Sequence, residues 1–207
     1  KAEMQHHTKE KVGRKAAGFI QNGMKIILDA GSTIEEIVRL LCKKIENRVL
    51  TKVTIATTSI NIADMISDCC VSMGFDDDFS AVRLYVPGGQ IRPSTQAIIP
   101  AYGTERGQIQ RLADHLGGFD LAIIGVNGID ADAGFTTHDN AEALNKVDIV
   151  RASTSRIVVG DSSKIGIVLE YKFADFDEDL KFVVDDDQNS QKLCEVLGSR
   201  ASKIILA

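Results

Sequence analysis

The chain has 207 residues, 44% of them hydrophobic, with a formal charge of −5, four cysteines, three prolines and no tryptophan. That length suits one sizeable domain or two small ones, and the apolar share is that of a globular protein with a buried core. The acidic balance makes it a poor grip for DNA or RNA, no run approaches the ~20 apolar residues of a membrane span, and no segment has a signal-peptide layout.

Helical and strand patterns alternate along the chain. From Thr8, apolar residues recur at Val12, Ala16, Phe19 and Ile20, a helical stripe that Asn22-Gly23 stops. "KIILDAGST" is a short apolar strand running into a small-residue loop, and "IEEIVRLLCKKI" repeats the helical stripe through Ile34, Ile37, Leu41 and Ile45. "VTIATTS" predicts a second strand and loop, "INIADMI" a helix, and "VRLYVPGG" a third strand. An irregular, proline-containing stretch follows, then a helix around "QIQRLADHL". "FDLAIIGVNGID" predicts a fourth strand, "DNAEALNKVDIVRAS" a helix and "RIVVGDSSKIG" a fifth strand. "LKFVVDDD" and "SKIILA" are two more strands, with "SQKLCEVLGS" a helix between them. Apolar strands separated by amphipathic helices specify an α/β protein, a mostly parallel sheet flanked by helices. The acidic patch Phe75–Phe79 and the segment "FADFDEDL" read as solvated loops.

Cys42, Cys69, Cys70 and Cys194 form no C-x-x-C pair, so reduced thiols in a cytoplasmic protein are expected. His138 has no second ligand at metal spacing and reads as a loop residue.

In an open parallel sheet, ligands bind beyond the carboxyl ends of the strands. Loops rich in Gly, Ser, Thr or Asn recur there: 29–33, 57–59, 125–130 and 161–164. Small residues admit a ligand to backbone N–H groups, hydroxyls add donors, and the helix dipole favours an anion. Two readings stand at the first loop. Ser32 with Glu35, and Thr33 with Glu36, also fit a capping box, which would consume those hydroxyls. Two readings stand again on the "DNAEALNK" helix. Glu142 and Lys146 fit a surface i,i+4 ion pair, or Lys146 reaches an anionic ligand and Glu142 a sugar hydroxyl.

The runs "KIILDAGST", "TIATTSINIADMI", "VPGGQIR", "GVNGIDADAGFTTHDNAEALNK" and "VVGDSSKIG", in that order, resemble the C-terminal effector-sensing domain of DeoR-family bacterial transcriptional regulators. The resemblance covers residues 11–207 and makes residues 1–10 the tail of a linker. It implies the fold of ribose-5-phosphate isomerase, glucosamine-6-phosphate deaminase and CoA transferases, and a phosphorylated sugar effector. It implies no cofactor and no catalytic residue. It implies ligand contacts from Asp29, Gly31, Ser32 and Thr33, from Thr57, Thr58 and Ser59, and from Gly88, Gly89 and Arg92. Later in the chain it points to Gly125, Asn127, Gly128, Asp130, Thr136, Thr137, Glu142, Lys146, Asp161, Ser162, Ser163 and Lys164. Such domains work as homo-oligomers and touch DNA through an N-terminal winged helix-turn-helix. No segment here matches one, and a start at Lys1 fits its removal.

Two departures from the family pattern stand out. Ser32 replaces a threonine, and Asp148 follows Lys146 closely where the family often has a basic residue. An enzyme of this fold, a sugar-phosphate isomerase or deaminase, is the alternative. It needs a carboxylate base, and the position where isomerases carry an acid holds Asn127 here, which cannot take up a proton at neutral pH. Asp130 and Asp161 remain the candidate bases.

Overall fold

The computed structural model describes residues 2–74, 81–101, 107–176 and 178–207. The acidic patch at 75–79 lies outside the described residues. In chain order the first half comprises α1 (Ala2–Ala17), β1 (Lys25–Leu28), α2 (Ser32–Glu46), β2 (Val53–Thr57), α3 (Ile60–Ser72), β3 (Val82–Tyr85), β4 (Gln90–Arg92), β5 (Ala97–Ile99) and α4 (Gln108–Leu116). The second half comprises β6 (Phe119–Gly125), β7 (Gly128–Asp130), β8 (Gly134–Thr137), α5 (Asn140–Arg151), β9 (Ser153–Val159), β10 (Tyr171–Ala174), β11 (Lys181–Val184), α6 (Gln188–Leu197) and β12 (Ile204–Leu206).

Seven strands form one parallel sheet in the order β12-β11-β9-β6-β1-β2-β3. Every one of them corresponds to a strand expected from the sequence. Both faces are covered, which is why these strands read as unbroken apolar runs instead of alternating ones. In β1, Ile26 and Leu28 pack with α1, α2 and α3, while Ile27 points to the opposite layer of α4, α5 and α6; all three are fully buried. The apolar stripe of α2 does what its period predicts, burying Ile34, Ile37, Val38, Leu41 and Ile45. At about 1.5–3 kcal/mol per buried side chain, these two layers are the main source of stability.

Helix α1 begins six residues before the expected Thr8, and it runs unbroken across residue 10, where a linker was expected to end. Two small antiparallel elements were not legible. One is the β4–β5 hairpin, in the stretch taken as irregular. The other is a three-stranded sheet, β10-β8-β7. Its strands are three or four residues long, too short to display a period.

The reading of "FADFDEDL" as a solvated loop is incorrect. Phe173, Phe176 and Leu180 are core residues. The Phe135 ring lies with its centroid 4.5 Å from that of Phe176 and 5.4 Å from that of Phe182, so the segment closes an aromatic cluster between the small sheet and the main one. Its acids mislead because Asp175, Glu178 and Asp179 are interspersed among the buried side chains.

Candidate functional site

The sheet order places β1 between β2 and β6. The chain moves from β1 outward to β2 and β3, then returns to the other side of β1 as β6. Loops leaving β1 and β6 therefore diverge, and a crevice opens between them at the strand ends. A cavity of about 260 Å³ occupies that crevice. Residues 29–34 after β1, 125–127 after β6 and 159–161 after β9 line it, with Lys164, one side of α5, the β5 region and Lys9 from α1.

The floor is an ion pair. Lys146 Nζ is bonded to Asp29 Oδ2, with only 6% and 7% of the two side chains exposed. Lys146 also donates to the Gly125 carbonyl at 2.9 Å and sits 5.4 Å from the centroid of the Phe173 ring. Asp29 accepts from the Thr58 hydroxyl at 3.2 Å and from the Gly125 N–H at 3.2 Å. An ammonium carries three N–H donors, so one is left for a ligand. The surface Glu142–Lys146 pair does not form: α5 turns this face inward, and each residue pairs across the fold instead.

One wall is a polar chain. Arg92 Nη1 donates to Glu142 Oε1 at 2.7 Å, and its other terminal nitrogen pairs with Asp139. The Thr137 hydroxyl lies 3.1 Å from Glu142 Oε2 and 2.9 Å from the Asn127 side-chain amide. It has one hydrogen to give. The Glu142 carboxylate and Asn127 Oδ1 are therefore alternative acceptors for that hydrogen. Asp139 caps α5 by accepting from the Glu142 N–H at 3.0 Å, and that bond, with Arg92, holds its carboxyl below the usual range. Arg92 is committed to two carboxylates and stands behind the cavity lining.

The opposite wall is the start of α2. Its cap is Gly31, at φ 139°, with no side-chain cap bond. The capping-box reading of Ser32 and Thr33 is thus incorrect: both are first-turn residues of the helix. Glu36 pairs with Arg39 and with His6 (3.3 Å), and Glu35 accepts from Asn61 at 3.5 Å. Two hydroxyls and the unpaired N–H groups of a 15-residue helix face the cavity, an arrangement suited to an anion.

At "GDSSKIG" the two serines work internally. Ser162 gives its N–H and hydroxyl to Asp185 at 2.7 and 2.8 Å, and Ser163 gives both of its donors to Asp161. Asp161 and Lys164 line the cavity. Among the described residues, the Lys164 ammonium has no hydrogen-bond or ion-pair partner.

Of the expected residues, Asp29, Gly31, Ser32, Thr33, Gly125, Asn127, Glu142, Lys146, Asp161 and Lys164 come together. Thr58, Thr137 and Arg92 buttress them from outside. The others have different work. Thr57 accepts from the Ser59 N–H at 3.2 Å, Ser59 caps α3, and Thr136 accepts from the Leu169 N–H at 3.1 Å. Gly88 lies against the side chain of Gln108. A Cβ on Gly89 would stand 2.4 Å from the Ile99 carbonyl oxygen, and one on Gly128 2.5 Å from that of Ile167; these glycines allow neighbouring backbone segments to approach. Asp130 closes the β7–β8 turn, accepting from the Asp132 and Ala133 N–H groups at 2.9 and 3.0 Å. Those bonds lower its pKa, the reverse of what a general base needs. Asp148 packs against Gly107 and does not line the cavity; burial raises its pKa.

Sequence reasoning missed Lys9, Thr95, Ile98 and Asn145 in the lining. Asn145, which donates to the Ile98 carbonyl at 2.8 Å, shared a helix face with Glu142 and was in reach of that argument. Lys9 carried no signal.

The family described as DeoR C terminal sensor domain matches residues 4–186. The chain belongs to that family. This DeoR sensor domain is 28% identical over 198 residues to the HTH-type transcriptional repressor GlcR of Bacillus subtilis (strain 168), covering 96% of the chain and 67% of that protein. It is 27% identical over 164 residues to the glycerol-3-phosphate regulon repressor of Escherichia coli (strain K12), covering 78% and 55%. The chain thus spans about half to two thirds of the curated relatives it matches.

Among solved structures, the DeoR sensor domain is similar to a D-ribose-5-phosphate isomerase in complex with phospho-erythronic acid (TM-score 0.53, 16% identity, 77% of this chain and 54% of that one). It is also similar to translation initiation factor eIF-2B of Pyrococcus horikoshii OT3 (TM-score 0.51, 14% identity, 82% and 51%). The likeness bears out the ribose-5-phosphate isomerase-like α/β fold expected from the sequence. No helix among the described residues is long and apolar enough to cross a membrane.

Proposed function

We propose that the chain is the effector-sensing part of a DeoR-type transcriptional regulator, and that its effector is a small phosphorylated sugar or polyol bound without chemical change. One observation carries the reading: a helix N-terminus with no side-chain cap and two unengaged hydroxyls faces a buried lysine–aspartate pair across a single cavity. The phosphate sits on the Ser32–Thr33 turn with Lys164 as a cationic neighbour, and ligand hydroxyls meet Asn127, Glu142 and the free N–H of Lys146. A volume of about 260 Å³ falls just below the roughly 300–1,000 Å³ usual for small-molecule sites, which suits a sugar phosphate better than a dinucleotide.

The carboxylates support sensing over catalysis. Asp29 is held by Lys146, Thr58 and the Gly125 N–H, and Glu142 by Arg92 and Thr137. Neither is a free base. Asp161 spends one oxygen on Ser163. The relatives named as transcriptional repressors point the same way, with DNA contacts made by a separate helix-turn-helix and self-association setting its spacing. A ligand shifts such a protein only through its difference in affinity between two conformations.

The test is calorimetric titration with phosphorylated sugars and glycerol 3-phosphate, followed by mass and NMR analysis of the recovered compound. Saturable binding with the ligand returned unchanged is expected. Turnover, or no binding by any phosphorylated compound, overturns the proposal.

A further inference from the structure

Lys9 is the contribution of α1 to the cavity. Every other lining charge except Lys164 already has a partner: Asp29 has Lys146, Glu142 has Arg92, and Asp161 has the N–H and hydroxyl of Ser163. Among the described residues, the Lys9 side chain makes no hydrogen bond and no ion pair, although it is partly buried. It is a cation held at the edge of a cavity without an anion.

Its position along α1 gives this a mechanical meaning. The buried contacts of the helix and its C-terminal extension are Val12, Ala16, Ala17 and Ile20. Gly13 brings α1 close to α2, since a Cβ there would stand 3.2 Å from the Glu36 Cβ. Lys44 fastens the far end by donating to the Ala17 carbonyl at 2.7 Å. Towards the N-terminus the packing gives out: His6 and His7 are exposed, and 66% of the His6 side chain is accessible even though it faces Glu36. Lys9 sits about one turn before Val12, the first core residue among the described side chains.

We propose that Lys9 is a ligand-contacting residue that pairs with the anionic group of the effector, and that this pairing fastens the outer half of α1 to the domain, so that α1 reports occupancy of the cavity. The inference rests on the anion-binding reading above. An anion between the α2 N-terminus and Lys9 is bonded to two elements at once, and it lengthens the anchored part of α1 by about one turn. Without it, the side chains of His6 and His7 stay exposed and this end of the helix opens at less cost than the part packed through Val12 and Ala16.

The experiment uses the whole chain, with inorganic phosphate and D-glucose 6-phosphate as probes, titrated by calorimetry and followed by amide hydrogen exchange. Lys9→Gln is expected to weaken binding roughly ten-fold or more, as for loss of a charge-assisted bond. Lys9→Arg is expected to stay within a few-fold of wild type. Lys11→Gln, an exposed lysine of the same helix, is expected to bind normally, which separates a contact from a change of net charge. In wild type the probes should slow exchange of the amides of residues 8–12, and in Lys9→Gln they should not.

If the wild type binds but Lys9→Gln binds equally well, or if exchange in α1 ignores the ligand, this inference is overturned and the sensing proposal stands. If neither these probes nor any phosphorylated compound binds the wild type, both fall.

Discussion

Lys146, on α5, is bonded to Asp29, at the end of β1, across 117 positions of sequence, and both side chains are almost wholly removed from solvent. Such a pair is costly to break and cheap to replace. Lys146→Met strands a buried carboxylate and should cost about 3–5 kcal/mol in urea unfolding. The double variant Asp29→Asn/Lys146→Met keeps an acceptor for Thr58 and Gly125 while removing both charges. It should recover most of the loss. Additive losses in that cycle would show that the two residues do not act as a pair.

Ser32→Ala and Thr33→Val test whether the start of α2 serves the helix or a ligand. Gly31 is the cap, so both variants should unfold within about 0.5 kcal/mol of wild type. Affinity for inorganic phosphate should drop roughly ten-fold for each. A stability loss with unchanged phosphate binding would restore the capping role.

This helix start also shows what the sequence conveyed and what it withheld. The seven strands of the main sheet were legible because burial on both faces demands continuous apolar runs, and the loops at their ends were legible from small residues at fixed places. What each polar side chain does in those loops was not. Ser32 and Ser162 stand in similar local contexts, yet Ser32 is unengaged while Ser162 is taken by Asp185, a residue 23 positions on. For Lys146 two readings stood, a surface partner of Glu142 or a ligand contact, because i,i+4 spacing is a local rule, and only the tertiary fold reveals which face of α5 turns inward. Lys9 lay before the expected boundary of the domain, and no local pattern ties a helix to a cavity formed by strands 20 to 150 residues away.

The turn at Asp130 predicts an acid-limb effect. Its carboxyl accepts two backbone N–H groups in the folded state, which lowers its pKa below the ordinary 3.8. The unfolded chain then binds the proton more readily, so stability rises with pH through this window. The contribution is complete above the ordinary value and is lost as pH falls through the lowered one. Asp130→Asn keeps an acceptor but cannot titrate. It should flatten this part of the profile, by no more than about 0.5 kcal/mol given the partial exposure, in urea midpoints measured from pH 7 to pH 2. Loss of ligand binding in this variant would contradict its position outside the cavity.

Burial pushes the Cys42 thiol up to about 12, with Cys69 beside it adding to the shift. At pH 8 only about one molecule in ten thousand then carries the reactive thiolate. Iodoacetamide should leave Cys42 unmodified in the native protein and label it on unfolding, as read by peptide mass. Rapid native labelling would mean that the α2–α3 interface opens readily.

The main sheet ends, among the described residues, in β3 with four residues on one side and β12 with three on the other. Rims this short offer an incoming chain only a few backbone bonds, which guards against sheet-to-sheet aggregation. Copies of this domain that associate are therefore steered away from joining their sheets edge on and toward contacts between helix faces and loops, a geometry in which a small rotation of one subunit is mechanically feasible.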